Sequence, residues 1–508
     1  YGKFLSHEQI SDLIKLPESQ IQQVENYFQQ GSSQVCESIV ERSVHQDFLM
    51  VTTCVAQAQV MFPNLTLSAY QNWRDTKVLR SVILVDPTEN LTLLGVPANL
   101  HQFISGIHGL TDTPIPQYHI GDTASANPSS PEWRSTDEAF TVKKMIELFG
   151  ITYDGIEEST LGADVGQVRQ GVIELAHSAF SAKSLATFQE KYGMPNNPIR
   201  KIFGTEEPQG NGADSKWYDA EASLDVETIT ALSGNVQTWD FTFGDSADWI
   251  DVVEKLLSTE GTPKVISCSW VNYESDYTLA QAQSVSREFM KLGLAGFSYF
   301  IGSGDCGPSL SPTCKQFDPQ FPSSSPYVTS VGGMVVNKNT QDQETWIHSS
   351  GGFSTYFDRP AYQDEKVNYY LQNATLPPNP NGSVYGTTGR AYPDVSAVGA
   401  YEPDNVFGTT FNVSGTSGAT PQFAAITALL NIHRYQKGLG PLGSLNQALW
   451  TLPKGVGTDV TLGESYATNR DGFCKSYLPG FKAMEGWDPV TGVGSPKWEV
   501  LLEQLTNQ

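Results

Sequence analysis

Positive charge is scarce in this chain. Lysine and arginine number 31 against 55 aspartate and glutamate, a formal net charge of −24 over 508 residues. A nucleic-acid binder needs a basic face to displace counterions, so that class is excluded. Charged residues of both signs reach only 17%, and hydrophobic ones make up 39%. That balance excludes a disordered chain and a long coiled coil. Long apolar runs are missing as well. The longest uncharged stretch, Asn405 to His433, is interrupted by Gly, Ser, Thr and Asn and carries Pro421 and Gln422 past its middle. A bilayer helix needs about 20 predominantly apolar residues, so no membrane span is expected. A chain this acidic sheds charge as pH falls toward about 5, which suits an acidic compartment.

Cysteine is also sparse. Cys36, Cys54, Cys268, Cys306, Cys314 and Cys474 form no CxxC pair and have no histidine at zinc spacing, so no metal cluster is expected from them. An even cysteine count, with sequons at Asn64, Asn90, Asn373, Asn381 and Asn412, points to a secretory route and glycosylation. The chain opens at Tyr1 with no initiator Met or signal peptide, as if an upstream piece were missing.

What is present has a clear order. Up to about residue 115 helical and strand patterns alternate: a helix Glu18 to Phe28, a strand Val44 to Thr53, a helix Cys54 to Met61, and short apolar runs at Val82 to Val85, Leu93 to Val96 and Phe103 to Ile107. Asp112 to Pro131 is rich in Pro, Ser, Thr and Ala and reads as an exposed linker. Beyond about residue 140, apolar runs such as Val265 to Trp270 and Phe297 to Ile301 alternate with helices such as Val142 to Phe149 and Tyr277 to Leu292. That alternation predicts an α/β fold, a parallel sheet with flanking helices, preceded by a smaller α+β unit. No internal repeat is present.

Four segments carry chemistry. In "SGTSGATPQFAAITALLN", Ser414 to Asn431, a Gly-Thr-Ser turn enters a long apolar helix, where a serine meets the positive dipole end and free amides. Helix capping explains those hydroxyls equally well. A serine nucleophile needs a base, yet five of the eight histidines precede residue 120 and none stands in a recognisable base motif. In "DAEASLDVETI", Glu221 and Asp225 stand four apart and share a helix face with no basic residue nearby. Such a pair shares a proton and can act as a general base in acid, where histidine is charged; ordinary solvated charge is the plainer alternative. "YFIGSGDCGP" is an apolar strand running into a glycine-rich turn at Asp305, suited to close backbone approach or to a simple turn. "TDVT" and "MEGWDPVTGVGSP" bring Asp459 and Asp488 with backbone carbonyls, hard oxygen donors that suit calcium or merely surface turns.

Together these segments resemble the sedolisins, the serine-carboxyl peptidases, and within them the tripeptidyl-peptidase branch. "EASLD", "SGD" and "SGTSGATP" match the family's motifs, and "FPSSSPYVTSVGG", "GGFSTYF", "GRAYPDVSA" and "GWDPVTGVGSP" follow in the family's order over about 370 residues. The first 115 residues, with "YGKFLS" and "VAQAQ", resemble its propeptide. The resemblance implies a subtilisin-like sheet behind an α+β prodomain: residues 1–115 an inhibitory and chaperone propeptide, 116–139 a linker cut on activation, 140–508 the peptidase domain. It implies Ser417 as nucleophile, Glu221 as general base, Asp225 as its orienting partner, and Asp305 as a protonated donor to the oxyanion. One structural Ca²⁺ is implied on Asp459, Val460, Met484, Gly486 and Asp488.

The expected activity is release of tripeptides from free N-termini of polypeptides, with the propeptide as intramolecular inhibitor and a lysosomal or secreted location. The alternatives are a sedolisin-type endopeptidase, a Ser-His-Asp hydrolase and an inactive binding module. Activation is expected between about pH 6 and 4, as the catalytic carboxyls ionise at neutral pH and acid neutralises carboxylates between the domains. Cleavage is expected near Pro131 to Phe140. Three departures from the family's pattern stand out. Cys306 replaces a serine and implies a disulfide to Cys314 or Cys474; Met484 and Glu485 replace Gly-Pro; and "GNGADSKWY" before Glu221 is unlike the family. The sequon at Asn412 is expected to be too buried for a glycan.

Overall fold

The computed structural model describes residues 3–30, 38–62, 67–71, 79–83, 96–102, 104, 140–154, 156, 168–204, 215–244, 247–311, 314–382, 385–400, 402–406, 409–468 and 478–507. The expected linker and its cleavage site lie outside them, as do most of the runs at Leu93 to Val96 and Phe103 to Ile107.

The N-terminal unit is α+β. Helices His7–Ile14, Glu18–Gln30 and Val55–Met61 accompany two antiparallel strand pairs, Ile39–Arg42 with Leu49–Thr52 and Leu67–Gln71 with Leu79–Ile83. Ser6 starts the first helix with a reciprocal capping box to Gln9. Val24, Phe28, Met61, Phe62, Val96 and Leu100 form a small core. The single strand expected over Val44 to Thr53 is instead a hairpin. Ser43 and Asp47 join across the turn through their side chains at 3.0 Å. Gln46 takes φ +59, which reverses the chain before Leu49.

The larger unit is built on an eight-stranded sheet in the order Gln343–Thr345, Thr329–Val336, Ser298–Gly302, Val265–Cys268, Arg169–Glu174, Gln237–Thr242, Lys201–Phe203, with Val395–Val398 also paired to Thr329–Val336. Every pairing is parallel except that of the edge strand Gln343–Thr345. Parallel strands are covered on both faces, so they read as uncharged, mostly apolar runs such as "VISC" and "SYFIG". The helix Thr416–Gln436 is buried along most of its length, from Thr416 to Ile432, and packs against the sheet and the helix Ser215–Ser233. Both helices are interior, so neither shows a polar stripe. The helices expected at Glu18 to Phe28, Val142 to Phe149 and Tyr277 to Leu292 form within a few residues of those limits. No described helix is long and apolar enough to cross a membrane.

Candidate active site

The sheet presents its site at the ends of its strands, as open α/β sheets do. Arg169–Glu174 ends on Glu174, and Val265–Cys268 leads into Ser269 and Trp270. Ser298–Gly302 leads into the turn at Asp305. That turn needs glycine at 304, where φ is +104 and a Cβ meets the Gln320 side chain at 2.9 Å.

Ser417 is the second residue of the helix Thr416–Gln436, facing its positive end. Just before it, Thr416 ties the helix start to the Asp305 turn. Its N–H and its hydroxyl each donate to Asp305 Oδ1 at 2.8 Å, and its Oγ accepts from Gly304 N–H at 3.1 Å. Asp305 Oδ2 is buried with no hydrogen-bond partner. Burial pushes this carboxyl up to about 7, against the pull of the two Thr416 donors.

Glu221 and Asp225 lie on one face of the helix Ser215–Ser233, both fully buried. Asp225 Oδ1 accepts from Ser269 Oγ at 2.8 Å, and the same hydroxyl reaches the Ser417 carbonyl at 3.3 Å. Neither Glu221 oxygen makes a well-formed hydrogen bond, although the Ser417 side chain is close enough to favour the ionised form. Burial and then Asp225 hold Glu221 well above the usual carboxylate range. Burial lifts Asp225 to about 8, opposed by Ser269 and by Glu174. The pair therefore shares a proton at a pH where free carboxyls have lost theirs, contrary to the expectation that both ionise at neutral pH.

Sequence reasoning missed further acids. Glu174 is fully buried, sits close enough to Asp225 to oppose its upward shift, and accepts from Trp270 Nε1 at 3.3 Å. Asp240 is pushed up to about 7 by burial. Glu402 and Asp404, on the strand Glu402–Val406, are buried; Asp404 raises Glu221, and the Glu402 carboxylate presses on Gly418, the neighbour of Ser417. For Glu174 the usable signal was an acid closing a short apolar run, as in "GVIE". Among the described residues no lysine or arginine forms an ion pair with Glu174, Asp240 or Glu402.

Three of the described histidines fall elsewhere. His433 is 16 residues from Ser417 on the same helix, about 24 Å along its axis. His7 and His45 belong to the N-terminal unit. Cys306, which follows Asp305, is a buried thiol rather than the expected half-cystine. The turn is held instead by Ser350, whose Oγ accepts from Cys306 N–H at 2.9 Å.

The five residues expected around calcium lie on two facing loops. Asp488 is fully buried; Oδ1 accepts from Val490 and Thr491 N–H at 2.9 Å, and Oδ2 from the Thr491 hydroxyl at 2.9 Å. Asp459 accepts from Gly486 N–H at 2.7 Å, and the Val460 carbonyl lies 3.5 Å from Thr491 Oγ. Burial pushes Asp488 up to about 7, with Asp459 adding repulsion. Two repelling carboxylates beside backbone carbonyls are a donor set that fits a hard cation. Among the described residues no three His, Cys, Asp or Glu side chains converge as a metal cluster.

A serine at the head of a buried helix, set among buried carboxyls at the end of a parallel sheet, defines the serine-carboxyl class of peptidases. The Pro-kumamolisin activation domain family matches residues 1–113. Tripeptidyl-peptidase 1 of Homo sapiens is 30% identical over 545 residues, spanning 100% of this chain and 86% of that protein. The Mus musculus protein of the same name is 31% identical over 540 residues, again across 100% of this chain and 86% of its own length. A structure of Pseudomonas sedolisin, a serine-carboxyl proteinase complexed with two molecules of pseudo-iodotyrostatin, matches with TM-score 0.52 at 22% identity, covering 70% of this chain and 95% of that one. The chain belongs to the sedolisin family, as a serine-type peptidase carrying its activation domain.

Proposed function

We propose that this protein is an acid-active tripeptidyl peptidase in its proenzyme form, working through Ser417, Glu221 and Asp225. Ser417 gives its hydroxyl proton to ionised Glu221 as Oγ attacks the scissile carbonyl carbon. Glu221 then passes that proton to the leaving amine, and a water repeats the sequence to free the acyl group. Asp225 orients Glu221 through the proton that the pair shares. The observation that carries the reading is Asp305: one oxygen is committed to Thr416, and the other, without a partner, is left to hold the proton and donate it to an oxyanion. A donor of that kind works only while protonated, so the chemistry belongs to acid.

The motif match and the 30% identity to tripeptidyl-peptidase 1 support release of tripeptides from free N-termini of polypeptides. The activation-domain match over residues 1–113 supports residues 1–115 as an intramolecular inhibitor, 116–139 as the cleaved linker and 140–508 as the peptidase domain. One calcium ion would be held by Asp459 and Asp488 with the carbonyls of Val460, Met484 and Gly486. It would supply the charge that lets Asp488 ionise. Asn373 and Asn381 are exposed, which supports glycosylation on a route to a lysosomal or secreted location. The deciding test is mass spectrometry of the products from a defined polypeptide at pH 4. Successive tripeptides from the N-terminus are expected; internal cuts as the main products would overturn the assignment.

A further inference from the structure

The turn 43–48 of the N-terminal unit is inserted against two helices of the peptidase domain, Trp249–Ser258 and Leu279–Leu294. Val44 N–H donates to Glu254 at 3.0 Å. Asp47 accepts from Lys291 Nζ at 3.0 and 3.2 Å. Lys291 also bonds Glu288, lies 3.8 Å from Glu254 and sits 5.3 Å from the centre of the Phe48 ring. Nearby, Leu5 N–H donates to the Leu294 carbonyl at 2.9 Å, and Ile10 is buried in the peptidase domain's own apolar core.

His45 sits inside this contact, fully buried. Its Nε2 faces Nδ1 of His7 at 3.3 Å, the two rings stacked with centroids 5.4 Å apart. Its own Nδ1 is buried with no hydrogen-bond partner. A charged imidazole carries two N–H donors and needs acceptors for both. Here one nitrogen meets a second imidazole, the other meets nothing, and the Lys291 cation lies close by. The charged groups facing the pair are Asp47 on the turn, Glu254 backed by Asp251 on one helix, Lys291 and Glu288 on the other, and Lys264 beside His7.

We propose that the stacked His7–His45 pair is the acid-sensing latch of the propeptide: neutral, it lets the turn 43–48 seat around Lys291; protonated, it unseats the turn. The inference rests on the proenzyme reading above. Burial and then Lys291 lower His45 to about 4, against Asp47, while burial and Lys264 lower His7. On release a histidine returns to about 6.5, so the released chain binds more protons below that value. Docking is therefore full above about pH 6.5 and weakens as pH falls toward about 4. For His45 alone the loss between pH 7 and 5 is roughly twenty-fold. The carboxyls act the other way. Burial raises Glu254, and raises Glu288 to about 8, so their protonation favours the docked state. Glu254 and Glu288 therefore oppose the histidines rather than add to the acid sensitivity.

The test uses the full-length chain carrying Ser417→Ala, which removes self-cleavage. Amide hydrogen exchange of residues 39–52, corrected for intrinsic rate, is followed from pH 7 to 4. Protection should be lost with a midpoint between 4 and 6.5. Adding His7→Gln and His45→Gln, or His45→Phe, should move that midpoint at least one pH unit lower. Midpoints equal to that of Ser417→Ala overturn the latch. Histidine C2-proton exchange on the Ser417→Ala chain needs no change at the latch: His45 titrating below pH 5 supports it, and titration at pH 6 or above refutes it. Unmoved midpoints leave the proenzyme reading intact, whereas full peptidase activity of the uncleaved wild-type chain at pH 7 refutes that reading itself.

Discussion

Replacing Asp305 by asparagine separates its two functions. The amide carbonyl can still accept from Thr416, which uses only Oδ1 in the native turn. The amide N–H₂ takes the position of Oδ2, the oxygen without a partner. The variant therefore donates to the oxyanion at every pH, whereas Asp305 donates only while protonated. Its carboxyl stands at about 7, so activity that depends on its proton is complete well below 7 and is lost as pH rises through it. By pH 8 about one tenth of the native donor remains. Asp305→Ala removes the donor altogether, which costs about 10²–10³ in kcat, or about 2.7–4 kcal/mol. The expected profile of kcat/KM, measured on processed enzyme from pH 4 to 9, follows directly. Asp305→Ala is low throughout. Asp305→Asn stays within about ten-fold of wild type at pH 4–5 and exceeds it above pH 8. Its alkaline limb moves from about 7 to about 8, where Asp225 takes over. An alkaline limb for Asp305→Asn that coincides with wild type, or full activity of Asp305→Ala, refutes the oxyanion role.

Glu221→Gln keeps the shape and removes the base, so turnover at pH 4 should fall about 10²–10⁴-fold, while Asp225→Asn should cost less and shift the pH profile; near-native turnover of Glu221→Gln would end the carboxylate-base mechanism. Wild-type proenzyme at pH 4 should lose roughly a quarter of its mass on gels, and pure Ser417→Ala should stay intact; self-processing of that variant refutes autocatalysis. Asp225 at about 8 and Asp240 and Asp305 at about 7 all stand above their unfolded values near 3.9. The stability they contribute is full below about pH 4 and is lost as pH rises through 7 to 8. The Tm of Ser417→Ala should accordingly fall between pH 5 and 8.5, and a rise would contradict the protonated-cluster account. A calcium chelator should lower the Tm of the wild-type chain and leave that of Asp488→Asn unmoved; equal response in both chains removes the cation from these loops.

The sheet was legible because its strands are covered on both faces. "VISC" and "SYFIG" carry no charged residue to confuse the pattern. The catalytic helices were legible only through their motifs, since burial all round erases amphipathic spacing. Glu221 and Asp225 show as a pair because four residues of one helix bring them together. Glu174, Asp240 and the pair Glu402 and Asp404 come from three separate strands, so only the parallel pairing of Arg169–Glu174 with Gln237–Thr242 and the packing of Glu402–Val406 on Ser215–Ser233 gathers them. The hairpin at 43–48 was hidden by Val44 to Thr53, which reads as one apolar-rich run until the Ser43–Asp47 bond and the positive φ of Gln46 break it. The Lys291 contact joins residues more than two hundred positions apart, beyond the reach of any local pattern.

Two adjacent serines bear on how this protein can be engineered. Ser349 Oγ accepts from Gly333 N–H at 2.9 Å and donates to the Val490 carbonyl at 2.7 Å, while Ser350 anchors the Asp305 turn through Cys306 N–H. Trp487 adds a bond from Nε1 to the Pro393 carbonyl at 2.9 Å. The segment beyond residue 485 is thus riveted to the strand floor and, one residue away, to the catalytic turn. A shortened version lacking that segment would leave Ser349 and Pro393 without their partners beneath the active site. Minimisation should therefore trim surface loops, and affinity tags belong beyond the helix Trp498–Leu505, never in place of what precedes it.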